Sequence, residues 1–63
     1  MINKEINAHK ARLKDLKLEF ERIAINAFKH ADRQEKHLYY ATSLIETAQL
    51  IHIHEMEIER LLR

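Results

Sequence analysis

The stretch HADRQEKH, residues 30–37, is the point at which the helical pattern of this chain breaks. Apolar residues recur at seven-residue spacing on both sides of the stretch, but polar residues occupy the same positions within it. Asp32, followed three residues later by Glu35, has the pattern of a capping box, which begins a helix. The sequence therefore predicts a first helix over about residues 3–29, a turn over about 30–32 and a second helix over about 33–62.

A heptad ladder of apolar side chains runs along both predicted helices. With Ile6 taken as position a, positions a and d keep the same phase on both sides of the break. Such a pattern packs one helix against another. The ladder consists of Ile2, Ile6, His9, Leu13, Leu16, Phe20, Ile23 and Ala27, and after the break of Ala41, Leu44, Ala48, Ile51, Glu55, Ile58 and Leu62.

Folding the chain back at the break places the two halves of the ladder against each other in an antiparallel hairpin. Position a of one helix then faces position d of the other, which predicts Ala27 opposite His37 and a polar layer of His9 opposite Glu55. The alternative is one continuous helix of about 60 residues in a parallel coiled coil. That arrangement would place the polar residues of the break in the seam and leave the capping box without a purpose, so we favour the hairpin.

A hairpin of two helices leaves its a/d stripe half covered. Doubling the hairpin closes a four-helix bundle, which is a common way of burying such a stripe. The predicted fold is therefore all-α, a two-helix antiparallel hairpin that dimerises into a four-helix bundle. The predicted self-association core consists of Ile6, Leu13, Leu16, Phe20, Ile23, Ala41, Leu44, Ala48, Ile51 and Ile58.

Composition limits the classes of function that this chain can have. Its 63 residues include no cysteine, which excludes disulfides and thiolate metal sites, and no glycine, which excludes a glycine-rich phosphate loop. Ser43, the only serine, has no suitably phased histidine and acid, so we expect no enzymatic activity. The sequence contains neither a secretory signal nor an apolar run of the roughly 18 residues that cross a membrane. We therefore expect a cytoplasmic protein.

Several apolar residues lie outside the ladder. Leu38 and Ile45 occupy e positions, where we expect them to broaden the bundle interface. A second group falls on outward positions that a simple bundle would fill with polar residues, and apolar patches of this kind often mark partner surfaces. This group is expected either to bind another protein or to extend the self-assembly, and it consists of Leu18, Ile25, Phe28 and Tyr39.

Lys10, Lys14 and Lys17 line one side of the first helix and suggest an alternative function. Such a face could contact the phosphates of RNA or DNA, in a binding mode that depends on salt and largely ignores sequence. The net charge of the chain is only +1, however, and no aromatic side chain interleaves with these lysines. A basic nucleic-acid regulator is therefore the second hypothesis, behind a protein-interaction module.

Five histidines suggest a third hypothesis, a metal site. Glu5 and His9 lie one helical turn apart, and the hairpin would bring His54 or Glu55 beside them. Zinc accepts nitrogen and oxygen ligands of this kind. The competing interpretation is a hydrogen-bonded polar layer that fixes the register of the two helices. We adopt that interpretation and predict no metal ligands and no cofactor.

The predicted architecture resembles that of the Rop family of plasmid RNA-binding regulators, which are dimerising helical hairpins. The resemblance rests on alanine at position a and leucine or isoleucine at position d of the second helix. With the ladders aligned, the RNA-contacting face of that family falls on a surface that lacks an aromatic residue and carries two acids. The resemblance therefore implies the architecture and not RNA binding. That surface consists of Lys4, Ala11, Asp15, Glu19 and Asn26.

Overall fold

Two antiparallel helices joined by a short turn make up the fold. The computed structural model describes the backbone of residues 2–63 and the side chains of residues 3–63. Helix α1 (Ile2–Lys29) packs along its length against helix α2 (Gln34–Leu62). The hairpin is thereby confirmed, and the chain does not form one continuous helix. The predicted place of Ile2 in the ladder lies outside the described side chains.

The turn between the helices closes without glycine. The amide of His30 donates to the carbonyl of Asn26 at 3.1 Å, which completes the last turn of α1. Two shorter-range bonds follow, from Ala31 to the carbonyl of Phe28 at 3.3 Å and from Arg33 to that of His30 at 3.0 Å. Such tightened bonds satisfy the helix end without a left-handed residue, and within residues 2–63 no φ angle is positive.

The predicted capping box is wrong. Helix α2 begins at Gln34, and its N-cap is Arg33, with extended φ and ψ of −113° and 100° and no side-chain capping bond. The carbonyl of Arg33 accepts the first helical bond from the amide of His37 at 2.9 Å. The turn spans four residues instead of three, so Asp32 precedes the cap and its carboxylate does not cap the helix. Glu35 remains in the first turn, where a negative charge suits the helix dipole.

A histidine of α2 completes the end of α1 at the turn. The Nδ1 atom of His37 lies 3.2 Å from the carbonyl oxygen of Ala27, and as a donor it satisfies one of the carbonyls left free at a helix C-terminus. This contact is the one predicted from the heptad register. Beside it, the ring of His30 stacks on Tyr40 with centroids 5.6 Å apart. The turn is thus tied to α2 by side chains as well as by the chain itself.

Helix α1 presents its predicted ladder to the seam. Helix α2 keeps its predicted d positions in the seam but replaces each a position by the residue before it, so that its seam face is displaced. On α1, Ile6, Leu13, Leu16 and Ala27 are buried, and Phe20 and Ile23 are half-buried. On α2, Thr47 is buried and the neighbouring Ala48 is exposed. The side of α2 that faces α1 consists of Tyr40, Leu44, Thr47, Ile51, His54, Ile58 and Leu61, all buried or half-buried.

The displaced face of α2 changes the polar layer of the seam. His9 lies against His54, with their Nδ1 atoms 2.8 Å apart, so the predicted pairing of His9 with Glu55 is wrong. Burial of Thr47 costs little because its hydroxyl donates to the carbonyl of Ser43 at 2.8 Å. A threonine fills more of a two-helix seam than an alanine does, and this favours the displaced face.

Candidate interaction surface

The hairpin buries little of its apolar surface by itself. Among the side chains of residues 3–63, none is less than 2% exposed. The four outward residues expected to bind a partner are all exposed: Leu18, Ile25, Phe28 and Tyr39. Six further large apolar residues are also exposed: Leu38, Ile45, Leu50, Ile53, Met56 and Leu62. The candidate site is therefore an exposed apolar surface and not an enclosed pocket.

The outer face of α2 lies on the side of the helix away from α1. It is formed by Leu38, Ala41, Thr42, Ile45, Ala48, Gln49, His52, Ile53 and Met56, and none of these residues is an acid, a lysine or an arginine. Part of this face is a shallow groove of about 540 Å³ lined by Ile45, Ala48, Gln49, His52 and Ile53. Large apolar side chains along its length alternate with small ones. This pattern leaves room for the side chains of a second helix.

The outer face is continuous and uncharged around Ile45. On a helix, the surface neighbours of a residue are those three and four positions away. For Ile45 these are Ala41, Thr42, Ala48 and Gln49, all of them uncharged. The heptad pattern predicted for Ile45 only a place in a broadened bundle interface and did not predict the continuous face. The uncharged neighbours were the signal that would have revealed it.

The outward apolar residues of α1 have a different environment. The four surface neighbours of Leu18 are all charged, and three of the four around Ile25 are charged. Tyr39 does not join this group, because its ring contacts Tyr40 edge-on at 5.4 Å near the turn of the hairpin. Leu18 and Ile25 are therefore largely enclosed by charge, whereas Phe28 at the end of α1 has only one charged neighbour, Asp32. The neighbours of Leu18 are Lys14, Asp15, Glu21 and Arg22.

The lysine face lies exposed on α1, as expected for residues in contact with solvent or with phosphate. Lys10, Lys14 and Lys17 are all exposed. The Nζ atom of Lys17 lies 3.9 Å from a carboxylate oxygen of Glu55 on α2, so one of the three lysines already faces an acid. An exposed ion pair of this kind adds little stability. It does reduce the positive charge that the face can offer to phosphate.

Two histidines, His9 and His54, form a hydrogen-bonded pair in the seam. A hydrogen bond between the two Nδ1 atoms of His9 and His54 requires one ring to donate and the other to accept. Protonation of both rings would direct two N–H groups at each other and break the contact. In the described part of the chain, no three acidic or histidine side chains lie close enough to hold a metal ion.

The C-terminal end of α2 carries local ion pairs. Arg60 donates a hydrogen bond from Nε to a carboxylate oxygen of Glu57 at 3.0 Å, and this bond lowers the pKa of Glu57. Arg63 donates from Nη2 to a carboxylate oxygen of Glu59, also at 3.0 Å. These pairs join residues within one helix. They stabilise its last turns and do not connect it to α1.

None of the helices between residues 2 and 63 is both long and apolar enough to cross a membrane. Comparison with known proteins found no matching family model, no matching curated protein and no matching solved structure.

Proposed function

We propose that this chain is a non-enzymatic protein-interaction module that acts as a homo-oligomer. In its simplest form, two hairpins associate into a four-helix bundle. The observation that supports the proposal best is the accessible surface of the hairpin, 5295 Å² for a chain of 7.6 kDa. A compact monomer of that mass exposes about 4,300 Å². The excess of about 1,000 Å² is close to the roughly 800 Å² that each partner buries in a stable complex.

The weakness of the hairpin core supports the same proposal. The described buried apolar residues are Ile6, Leu13, Leu16 and Ala27, all on α1, and the apolar residues of α2 that face them are only half-buried. Chains of this size usually need a disulfide, a metal or a partner to stabilise such a core. Cysteine is absent from the sequence, so a second copy is the simplest source of further burial.

Sedimentation equilibrium of the untagged protein at about 10 µM tests the proposal, because oligomers that function at cellular concentrations have micromolar or lower dissociation constants. We expect the mass of a dimer. A protein that remains monomeric over a tenfold range above that concentration would overturn the proposal.

Native mass spectrometry of the same sample tests the competing functions. We expect a dimer mass without an adduct. Copurifying nucleic acid would favour the basic face of Lys10, Lys14 and Lys17 instead, and a stoichiometric metal adduct would favour a site around His9 and His54.

A further inference from the structure

We propose that the self-association surface is the outer face of α2, and that its occupant is the same face of a second copy running antiparallel. The inference rests on the proposed function, because it assumes that the chain associates with itself. It adds which of the exposed surfaces is used. The two copies of α2 then lie at the centre of a row of four helices with the two copies of α1 outside them, an arrangement that replaces the closed four-helix bundle of the simplest form.

Charge is distributed unevenly between the outer surfaces of the two helices. From Leu38 to Met56 the outer face contains no acid, lysine or arginine, whereas the outer surface of α1 carries charged residues throughout. Burying a charge without a partner costs far more than the apolar contacts around it would contribute. Of the two outer surfaces, that of α2 can therefore be covered with much less desolvation of charge.

An antiparallel pair of outer faces would adopt a register in which their side chains fit together. If the two-fold axis crosses the helices near Thr47, Leu38 of one copy lies level with Met56 of the other. Thr42 is then close to the level of Ile53, which places a small side chain opposite a large one, as close packing requires. Eight of the nine outer-face residues are exposed in the hairpin and Ala41 is half-buried, so the face is available for this contact.

Charged residues lie at the two ends of the face. In the same antiparallel register, Glu35 of one copy comes level with Glu59 of the other and within one residue of Arg60. Opposite charges at the rim of an interface favour one orientation over another. A parallel arrangement would instead place Glu35 beside its own counterpart, and likewise Arg60. The proximity of Arg60 to Glu35 of the other copy therefore favours the antiparallel orientation over the parallel one.

A matched pair of substitutions tests the surface. Ile45 and Ile25 are exposed to nearly the same extent, 62% and 57%, one on each helix. We expect Ile45→Glu to raise the dissociation constant of the dimer at least about 30-fold, and Ile25→Glu to leave it within about threefold of the wild type. Sedimentation gives the association state of each variant, and far-UV circular dichroism reports whether the helices remain.

The outcomes separate this inference from the proposed function. A monomeric wild type overturns both. A wild-type dimer that both variants retain shows that association uses another face, so the proposed function stands and the inference fails. A dimer that Ile25→Glu disrupts more than Ile45→Glu assigns the interface to α1 and also overturns the inference.

Disulfide mapping tests orientation even if Ile45→Glu unfolds. Because the chain has no cysteine of its own, Leu38→Cys and Met56→Cys each introduce a single thiol. Two cysteines can bond only where their Cα atoms approach to within about 7 Å. We expect an oxidised mixture of the two variants to give mainly the mixed disulfide, and each variant alone to remain largely reduced. Efficient disulfides within each variant alone, or none in the mixture, would overturn the antiparallel arrangement.

Discussion

The outer surfaces of α1 and α2 differ in the neighbours of their apolar residues and not in how exposed those residues are. Ile25 on α1 and Ile45 on α2 are the same residue type at almost the same exposure. Charged residues occupy three of the four surface positions around Ile25 and none of those around Ile45. An exposed apolar residue is common on protein surfaces, whereas a contiguous apolar patch marks an interaction site. The comparison therefore favours α2 over α1 as the helix that carries the interface.

The two helices also differ in how many apolar faces they carry. Helix α1 has one strongly apolar face, and the hairpin seam already covers it. Helix α2 has two, the seam face around Ile51 and the outer face around Ile45, and the hairpin covers only the first. One helix with two apolar faces needs two neighbours. Within a single hairpin, α2 has only one.

The substitutions with the largest expected difference test whether α1 packs through only one of its faces. Leu16 is 5% exposed and Leu18, two residues later, is 54% exposed. Truncation of a buried leucine costs about 2–5 kcal/mol, whereas an exposed substitution usually costs less than about 0.5 kcal/mol. We expect Leu16→Ala to reduce the free energy of unfolding in urea by about 2–5 kcal/mol and Leu18→Ala by less than about 0.5 kcal/mol, both measured at equal protein concentration. Equal losses would show that the outer surface of α1 is also covered, and the comparison would fail.

The substitution with the next largest expected effect tests the outer face of α2. We expect Ile45→Ala to cost about 1–2 kcal/mol, because in the proposed dimer it removes buried area at the centre of the interface. Since the melting temperature of an associating protein rises with concentration, the loss should diminish on dilution to the monomer. Thermal unfolding over a hundredfold range of concentration measures it, with Ile25→Ala as control. A loss that does not depend on concentration would place Ile45 in the fold and not in the interface.

The hairpin and the seam face of α1 were predictable from the sequence, and each for a physical reason. Seven-residue spacing of apolar side chains identifies the face of a helix that packs, and Leu13 and Leu16 lie buried on that face. Three polar ladder positions in succession mark the place where the ladder must stop. A break of that kind locates the turn well, but it does not say whether the turn takes three residues or four.

The rotation of α2 was not predictable from the same spacing. Thr47 and Ala48 are adjacent, and a heptad pattern prefers the alanine because it counts threonine as polar. In the structure, Thr47 satisfies its hydroxyl within its own helix, by donating to the carbonyl of Ser43, and is buried. That bond depends on a side-chain rotamer, which the spacing of apolar residues does not reveal. Once Thr47 faces α1, His54 replaces Glu55 as the partner of His9.

A smaller effect is expected from the seam contact that this rotation creates. Hydrogen bonds of the kind that joins His9 to His54 contribute about 0.5–1.5 kcal/mol net. We expect His9→Ala and His54→Ala together to cost less than the sum of the two single losses, by a coupling energy of that size in a double-mutant cycle. His52, exposed on the outer face, provides the control partner. A coupling of His9 to His52 as large as that to His54 would show that α2 is not rotated as described.

The smallest expected effect concerns the ion pairs at the C-terminal end of α2, beyond the uncharged outer face. The hydrogen bond from Arg60 lowers the pKa of the Glu57 carboxyl in the folded protein. A lowered pKa stabilises the fold above the ordinary value of about 4.3, and this contribution is lost as the pH falls through the folded-state value. We expect the melting temperature of the wild type to fall slightly more between pH 6 and pH 2.5 than that of Glu57→Gln. Glu46→Gln, which changes another exposed glutamate of α2, should behave like the wild type, because the effect belongs to one local pair and not to the net charge of the helix.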